Sequence, residues 1–222
     1  MKTALLFIFA LTFFTAGSSA LAQSDRLSET DYDTALAKAL DAASARDRRV
    51  STEEKFYAGT ELTGVRNLVS EFAGPDAKKV EVTEEFNGKR TKSDSVKLGE
   101  QFFCREGDKG WKKANKDCAK KGGAMAIPAG DYEYSVEPDP NNFGRRIYTR
   151  RATYTDAGLA TRDAARLKFI EIKFITDETG AILEYTETRR GGVEPNNWSS
   201  TQATFYDYNA SGLRITDPRI GR

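Results

Sequence analysis

The stretch LKFIEIKFITDETGAILEYTET, residues 167–188, decides the fold of this chain. It holds two β-rich runs separated by the turn Asp177–Gly180, whose final glycine tolerates a positive φ angle. Ile170, Ile172 and Phe174 are two residues apart and therefore line one face of the first strand. The stretch predicts a β-hairpin in an antiparallel sheet that has one apolar and one more polar face.

The hydrophobic pattern also predicts the register of this hairpin. A shift by one residue would place Glu171 opposite Glu187 and split the apolar set, so we favour the register that keeps the set together. The predicted pairs are Thr176–Ala181, Phe174–Leu183, Ile172–Tyr185 and, on the other face, Lys173–Glu184.

Residues 1–22 have the layout of a secretory signal peptide. Lys2 precedes an apolar run at positions 4–14, and Ala20-Leu21-Ala22 supplies an A-x-A cleavage site. The run is shorter than the roughly 20 residues that span a bilayer, and an uncleaved amphipathic anchor is the alternative. We expect an exported protein, periplasmic or secreted, that is soluble after cleavage following Ala22 and has no transmembrane segment in its mature chain.

The balance of charge and the length of the chain limit the class of protein to which it can belong. Removing 22 residues from 222 leaves 200, and loses one of the 34 Lys and Arg, so 33 cations face 33 Asp and Glu. A neutral chain argues against nucleic acid as a partner. We expect a single domain over residues 23–222, because no linker or repeat is evident, with an irregular insertion near 115–142 that is rich in Gly and Pro.

The two cysteines, Cys104 and Cys118, predict a disulfide. An even pair in an exported protein usually forms one, and a loop of this size adds about 3 kcal/mol in the chain-entropy model. Redox or metal chemistry is the alternative, but the pair lacks the C-x-x-C spacing and a histidine partner.

Residues 27–49 carry the strongest helix signal in the chain. Capping oxygens come first, alanine-rich sequence follows, and arginines crowd the far end, as suits a helix dipole. This predicts one helix laid against the sheet. Its modest apolar stripe consists of Tyr32, Leu36, Leu40 and Ala43.

Short strands follow in a predicted meander. Asn87-Gly88 is a strong hairpin signal. A two-residue loop there would oppose Val80 to Ser95, so we favour a three-residue loop or a bulge, which sets Val80 against Val96. For residues 157–165 the sequence leaves two alternatives, a wide loop or a helical turn. The predicted strands are 65–72, 79–86, 101–106, 145–154 and 200–208, besides the hairpin.

No pattern in the chain indicates catalysis. The absence of histidine excludes the usual Ser-His-Asp and Cys-His sites and most catalytic zinc sites. Nucleotide, phosphate and calcium motifs are also missing from the sequence. Acidic pairs such as Glu84-Glu85 fit solvated hairpin charge. We expect a non-enzymatic protein with no cofactor and no metal.

Two features could bind a partner, one on the surface and the other in the interior. Lysines around Trp111 suggest a docking surface for anionic headgroups or an acidic protein, and a solvated loop is the alternative. The residues of this docking surface are Lys109, Trp111, Lys112, Lys113 and Lys116.

The apolar face of the sheet is larger than one alanine-rich helix can cover. Either loops complete the core or a hydrophobic cavity remains, and ordinary core is the alternative for any single member. The cavity candidates, all assigned to one face, are Val80, Val82, Val96, Phe103, Tyr148, Ile170, Ile172, Phe174, Leu183, Tyr185 and Tyr206.

Three segments resemble the LolA/LppX-like superfamily of exported lipid and lipoprotein carriers. The matching cues are residues 101–111, the turn at 177–182, and residues 206–218. They lie in VEVTEEFNGKRTKSDSVKLGEQFFCREGDKGW, FIEIKFITDETGAILEY and TFYDYNASGLRITDP. The resemblance implies an α+β fold in which a curved antiparallel sheet, an open half-barrel, carries helices on its concave face and encloses a cavity for acyl chains. The insertion, the disulfide and the single predicted helix depart from that pattern.

The resemblance implies a soluble exported protein that binds a lipid or a lipoprotein acyl chain and catalyses no reaction. The alternative is an envelope sensor or protein-interaction domain of the same fold, with an envelope protein as its partner. A structural envelope protein with a filled core would bind neither. An enzyme is the least supported class.

Overall fold

The computed structural model describes residues 24–118, 129–154, 159–160, 166–193, 195–209 and 212–220. The predicted signal peptide and most of residues 157–165 lie outside these ranges. The elements are β1 (Asp25–Arg26), α1 (Glu29–Ser44), β2 (Arg48–Ala58), β3 (Glu61–Ala73), β4 (Ala77–Phe86), β5 (Lys89–Leu98), β6 (Gln101–Glu106), β7 (Lys112–Ala114), β8 (Glu133–Pro138), β9 (Arg146–Thr153), β10 (Leu159–Ala160), β11 (Arg166–Thr176), β12 (Ile182–Gly191) and β13 (Trp198–Asp207).

The strands form one antiparallel sheet in the order β1-β8-β9-β11-β12-β13-β2-β3-β4-β5-β6-β7, with β10 paired to β11 off this path. The end strands β1 and β7 are not paired with each other in the described residues, so the sheet is an open, curved half-barrel. One helix, α1, lies on its concave face. The predicted α+β fold is therefore confirmed.

Helix α1 is shorter than the sequence predicts. Ser28 Oγ accepts a hydrogen bond from Asp31 N at 3.1 Å and so caps the first turn. The helix ends at Ser44 instead of continuing to residue 49. Arg48 Nη1 donates to Ala43 O at 3.0 Å, so this cation satisfies the last carbonyls from outside the helix.

The apolar stripe of α1 runs through small residues. Tyr32, Ala39 and Ala43 are at most 2% exposed, and Leu36 is half-buried. Leu40, predicted to be in the stripe, is 43% exposed. Alanine lets the helix backbone come close to the sheet, where the larger leucine would hold it away.

The β11–β12 hairpin is confirmed, but its predicted register is wrong. The observed pairs are Thr176–Ile182, Phe174–Tyr185, Ile172–Glu187 and Lys173–Thr186. The register shifts beside Thr176, which makes Leu183 the extra residue of a β-bulge. Ile182 and Tyr185 are three residues apart, so only a bulge can turn both towards α1.

The β4–β5 hairpin closes with the two-residue loop that we did not favour. Phe86 pairs with Lys89, and Val80 pairs with Ser95. Asn87 and Gly88 have φ angles of 51° and 74°, the positive values that a type I′ turn requires. The local turn chemistry therefore decides this register over the matching of valines.

Strand β2 is absent from the sequence prediction. Its residues are mostly polar, and it pairs with the adjacent β3 and with β13, which is distant in the chain. Thr52 Oγ1 lies 3.0 Å from Thr204 Oγ1, and Glu54 pairs with Arg66. Central position in the sheet rather than apolar alternation makes this segment a strand.

The disulfide between Cys104 and Cys118 is confirmed, with 14 residues of sequence separation. It ties the segment after β7 to β6. Residues 119–128 of the predicted insertion lie outside the described ranges, while β8, within the same insertion, pairs with β9.

Candidate functional site

The half of the concave face beneath α1 is a packed core. Tyr32 lies 5.3 Å from Phe174 and 5.5 Å from Tyr134, ring centre to ring centre. Tyr148 stacks on Phe174 at 4.5 Å with nearly parallel rings. Phe174 is 0% exposed. These contacts fill the space in which a cavity was predicted.

Most of the predicted cavity residues meet in this filled half. Tyr148, Phe174, Tyr185 and Tyr206 pack around α1. Ile170 and Ile172 form a neighbouring buried cluster on the same face. Together they hold the helix on the sheet.

Buried hydroxyls in this half stay neutral. Burial raises the pKa of Tyr32 and, together with the nearby Glu187 carboxylate, that of Tyr185. Tyr185 Oη donates to Glu187 Oε2 at 3.0 Å, and Glu187 also pairs with the buried Arg189. Tyr32 Oη has no hydrogen-bond partner among the described residues.

The other half of the concave face begins with exposed apolar side chains at one rim. Phe56 and Phe86 are 5.3 Å apart, and Phe86 lies across Gly64, where a Cβ would come within 2.2 Å of its ring. Leu62, which is 49% exposed, pairs with Tyr57 across a β-bulge and therefore lies on the convex face. Phe86 is 36% exposed. We call Phe56 and Phe86 the apolar lip.

A charged ladder follows the apolar lip along the same strands. Arg66 donates to Glu84 Oε1 and to Glu54 Oε2, each at 2.7 Å. About a fifth of each of these three side chains is exposed. One guanidinium therefore links carboxylates from two other strands, β2 and β4.

Beyond the ladder lies a second apolar row. Leu68 packs on Val80 and Val82, which are 3% and 1% exposed. Val80, Ser95 and Cys104 follow one another across β4, β5 and β6. The disulfide therefore anchors residues 114–118 over this end of the concave face.

Val96 and Phe103, predicted on the same face as Val80, lie on the opposite, convex face. The two-residue β4–β5 loop places Ser95 beside Val80, so Val96 and its partner Phe103 point the other way. The Arg219 guanidinium lies 4.6 Å from the Phe103 ring centre and helps to cover it.

The predicted docking surface lies at the β7 edge of the sheet. Trp111 is half-buried, and the Arg105 guanidinium lies 4.9 Å from its ring centre. Lys109 pairs with Glu106 at 3.4 Å. The remaining lysines, Lys112, Lys113 and Lys116, are exposed.

Sequence reasoning missed the buried acid that supports this edge. Asp94 is 0% exposed, and its Oδ2 accepts hydrogen bonds from Arg105 Nε at 2.6 Å and Arg105 Nη2 at 2.5 Å. A solvated charge is the usual reading of an aspartate in a polar strand, so only the neighbouring strand reveals the pair.

The described residues contain neither a cluster of three or more metal-ligating side chains nor a helix long and apolar enough to cross a membrane. A cavity of about 680 Å³ lies on the convex side near the β1 edge. Its walls mix both signs of charge, with Arg151 paired to Glu133 and Lys173 to Glu171.

No protein-family model matches the chain, and no curated protein matches it. Solved structures do. A LolA superfamily protein from Nitrosomonas europaea has 10% identity and a TM-score of 0.32, over 85% of this chain and 96% of its own. A DUF1329 family protein from Desulfovibrio piger has 9% identity and a TM-score of 0.31, over 83% and 94%.

A domain named for outer membrane lipoprotein sorting, from Vibrio parahaemolyticus, has 12% identity and a TM-score of 0.29, over 82% of this chain and 95% of its own. The names of the first and third structures agree with the superfamily that the sequence resembles. At these identities and TM-scores the likenesses carry no argument about ligand or activity.

Proposed function

We propose that this protein is an exported, non-catalytic carrier that binds a lipid or a lipoprotein acyl chain on the half of the concave face that α1 does not cover. One observation supports this above the others. The apolar lip is exposed at a rim of the sheet, beside the Arg66 charge ladder. A chain lying over the lip would cover apolar surface of Phe86 that otherwise faces water.

The expected gain is sufficient for binding. Each buried methylene contributes about 0.8 kcal/mol, so about ten methylenes contribute about 8 kcal/mol before the cost of association. Covering the ladder reduces this gain, because Arg66, Glu54 and Glu84 lose their remaining contact with water even though they keep their bonds to one another.

The proposed location outside the cytoplasm is supported by the disulfide. Disulfides persist in oxidising compartments and are rare in the cytosol. The Cys104–Cys118 bond therefore agrees with a cleaved leader over residues 1–22 and a single mature domain over 23–222.

The test has two parts. Native mass spectrometry of protein purified from its own host should show a bound lipid, and a fluorescent acyl probe should bind the delipidated protein. Phe86→Ser should raise the Kd of the probe about fivefold, since this half-exposed side chain contributes about 1 kcal/mol.

The matched control is Phe205→Ser. The side chain of Phe205 is 52% exposed and lies on the convex face, because the neighbouring Thr204 pairs with Tyr185 on the concave face. Its replacement should therefore leave probe binding unchanged. A folded protein that carries no lipid and binds no acyl probe refutes the proposal.

A second candidate, a sensor or protein-interaction domain, rests on the docking surface at β7. This strand is short, forms an edge, and carries exposed lysines suited to an acidic partner. Reversing the charges of Lys112, Lys113 and Lys116 tests it in a pull-down from envelope extracts. A lost partner with unchanged acyl-probe binding would favour this candidate.

A further inference from the structure

The turn between β8 and β9, residues 139–145, carries the most exposed large apolar side chain in the described part of the chain. Phe143 is 107% exposed, against 79% for Ile220 and 52% for Phe205. Phenylalanine is among the residues most often buried, so a ring left wholly in water offers its apolar surface to a partner outside the chain.

Hydrogen bonds fix this turn, so the Phe143 ring does not fold back onto the sheet. Asp139 Oδ1 accepts from Asn141 N at 2.9 Å, and its Oδ2 accepts from Asn142 Nδ2 at 2.9 Å. Arg145 N donates to Asn142 O at 3.2 Å, and Asp139 N donates to Arg145 O at 3.1 Å. A turn closed in this way presents its ring with little conformational entropy left to lose on binding.

Two arginines follow the ring in the chain. Arg145 and Arg146 are exposed, and neither forms an ion pair with another described residue. Asp139 has both oxygens bonded within the turn, and these bonds, together with the Arg145 charge, hold the pKa of its carboxyl below the usual value. Glu178 adds one exposed negative charge nearby. The turn therefore has little net charge, but its two guanidiniums remain able to bind phosphate oxygens through paired N–H donors.

The β8–β9 turn lies at one end of the sheet, beside the turn between β11 and β12. Arg146 pairs with Thr176, and a Cβ at Gly144 would lie 3.2 Å from Glu178 Cβ. The apolar lip lies at the opposite end of the strands, next to the start of β13. A contact made by the β8–β9 turn therefore leaves the lip uncovered.

We propose that the β8–β9 turn docks this protein on a phospholipid surface, with the Phe143 ring among the headgroups and the guanidiniums of Arg145 and Arg146 on lipid phosphates. A single ring on a convex turn, with asparagine and glycine beside it, offers no flat apolar patch to a protein partner, whereas a lipid interface deforms around it. The attachment is weak and reversible, because one ring and two cations are a small anchor. This inference does not rest on the proposed carrier function.

The experiment is co-sedimentation of the mature protein with sucrose-loaded vesicles. The vesicles consist of phosphatidylcholine alone or of phosphatidylcholine and phosphatidylglycerol in equal parts, and the mixed, negative surface should bind more tightly. Phe143→Ser should lower the partition coefficient about tenfold, and Phe143→Leu, which keeps an apolar side chain, should lower it much less. Arg145→Gln with Arg146→Gln should lower binding to the mixed vesicles about tenfold.

Two matched controls remove similar groups elsewhere. Phe205→Ser removes an exposed ring from the convex face, and Lys112→Gln with Lys113→Gln removes two exposed cations at the β7 edge. Both should stay within about twofold of the wild type, because these residues lie away from the contact and surface charges are screened over short distances. Phe143→Trp gives a second readout: bromine-labelled acyl chains should quench its emission more than that of the wild type, whose tryptophans lie elsewhere.

The outcomes separate this proposal from the carrier. Binding that survives Phe143→Ser, or that falls equally in a control, overturns the proposal. Failure to bind either kind of vesicle also overturns it, and capture of an envelope protein that depends on Phe143 would then make the turn a protein-docking site. Phe86→Ser should weaken acyl-probe binding and leave vesicle binding unchanged, so each proposal can fail while the other stands; a loss of vesicle binding in this variant would move the contact to the apolar lip and overturn the inference.

Discussion

Replacing Asp177 with alanine should destabilise the protein by about 2–3 kcal/mol, because one carboxylate oxygen organises the turn between β11 and β12. Asp177 Oδ1 accepts hydrogen bonds from Thr179 N at 2.9 Å, Thr179 Oγ1 at 2.6 Å and Ala181 N at 2.9 Å. Thr179 is exposed, so its donors find water after the change. Ala181 is fully buried, and its N–H would lose its acceptor, which costs about 1–3 kcal/mol by itself.

The contribution of Asp177 depends on pH. Burial alone would raise the pKa of its carboxyl, but the hydrogen bonds from Thr179 and Ala181, with the Arg46 charge, outweigh burial and hold the pKa below the usual 3.8. A pKa that is lower in the folded state stabilises above the unfolded pKa and stops stabilising as pH falls through the folded value. The difference between the wild type and Asp177→Ala should therefore be constant near neutral pH and shrink below about pH 4.

The assay is equilibrium unfolding in urea at a series of pH values with the disulfide oxidised. Asp177→Asn keeps an oxygen acceptor and should lose less than the alanine variant. Glu178→Ala is the matched control, since this adjacent exposed acid makes no hydrogen bond to the turn in the described structure. A loss below about 0.5 kcal/mol for Asp177→Ala, or one no larger than that of the control, would refute the reasoning.

Further changes should act at three other places. Asp94→Ala should lower the free energy of unfolding in urea by about 3 kcal/mol, since it leaves a half-buried arginine without its carboxylate. Reducing Cys104–Cys118 should lower the free energy of unfolding by about 3 kcal/mol, as expected for a loop of about 15 residues. Gly191→Ala should cost about 1–3 kcal/mol in thermal unfolding, because the new Cβ meets a main-chain oxygen at 2.2 Å.

Each of these has its own check. Glu133→Ala removes the carboxylate from a solvent-exposed arginine pair, so a loss equal to that of Asp94→Ala would contradict the role of burial. The disulfide effect should persist in Cys118→Ser without reductant. Gly74→Ala, where a Cβ meets no atom within 4 Å, separates the positive φ at that glycine from the close contact at Gly191.

Local chemistry explains the parts of the fold that sequence reasoning predicted correctly. Asp177 caps the hairpin turn and Ser28 caps the helix, both through partners within four residues. The disulfide follows from residue type and compartment. Such features depend on short segments, so a pattern in the chain is enough to identify them.

The candidate site was predicted less well than the elements around it. Residues such as Phe174 and Tyr185 were correctly assigned to the face towards α1, but they fill the space there. The apolar lip was missed, because Phe56 and Phe86 come from separate hairpins and meet only at the rim.

The sequence by itself determined the turns, the helix start, most strands and the covalent link. Only the tertiary structure decided the register at the Leu183 bulge and the strand at 48–58. The physical reason is how far apart along the chain the interacting residues are. A turn or cap gains its free energy from neighbours along the chain, whereas a register or a face gains it from burial summed over strands that only the folded sheet brings together.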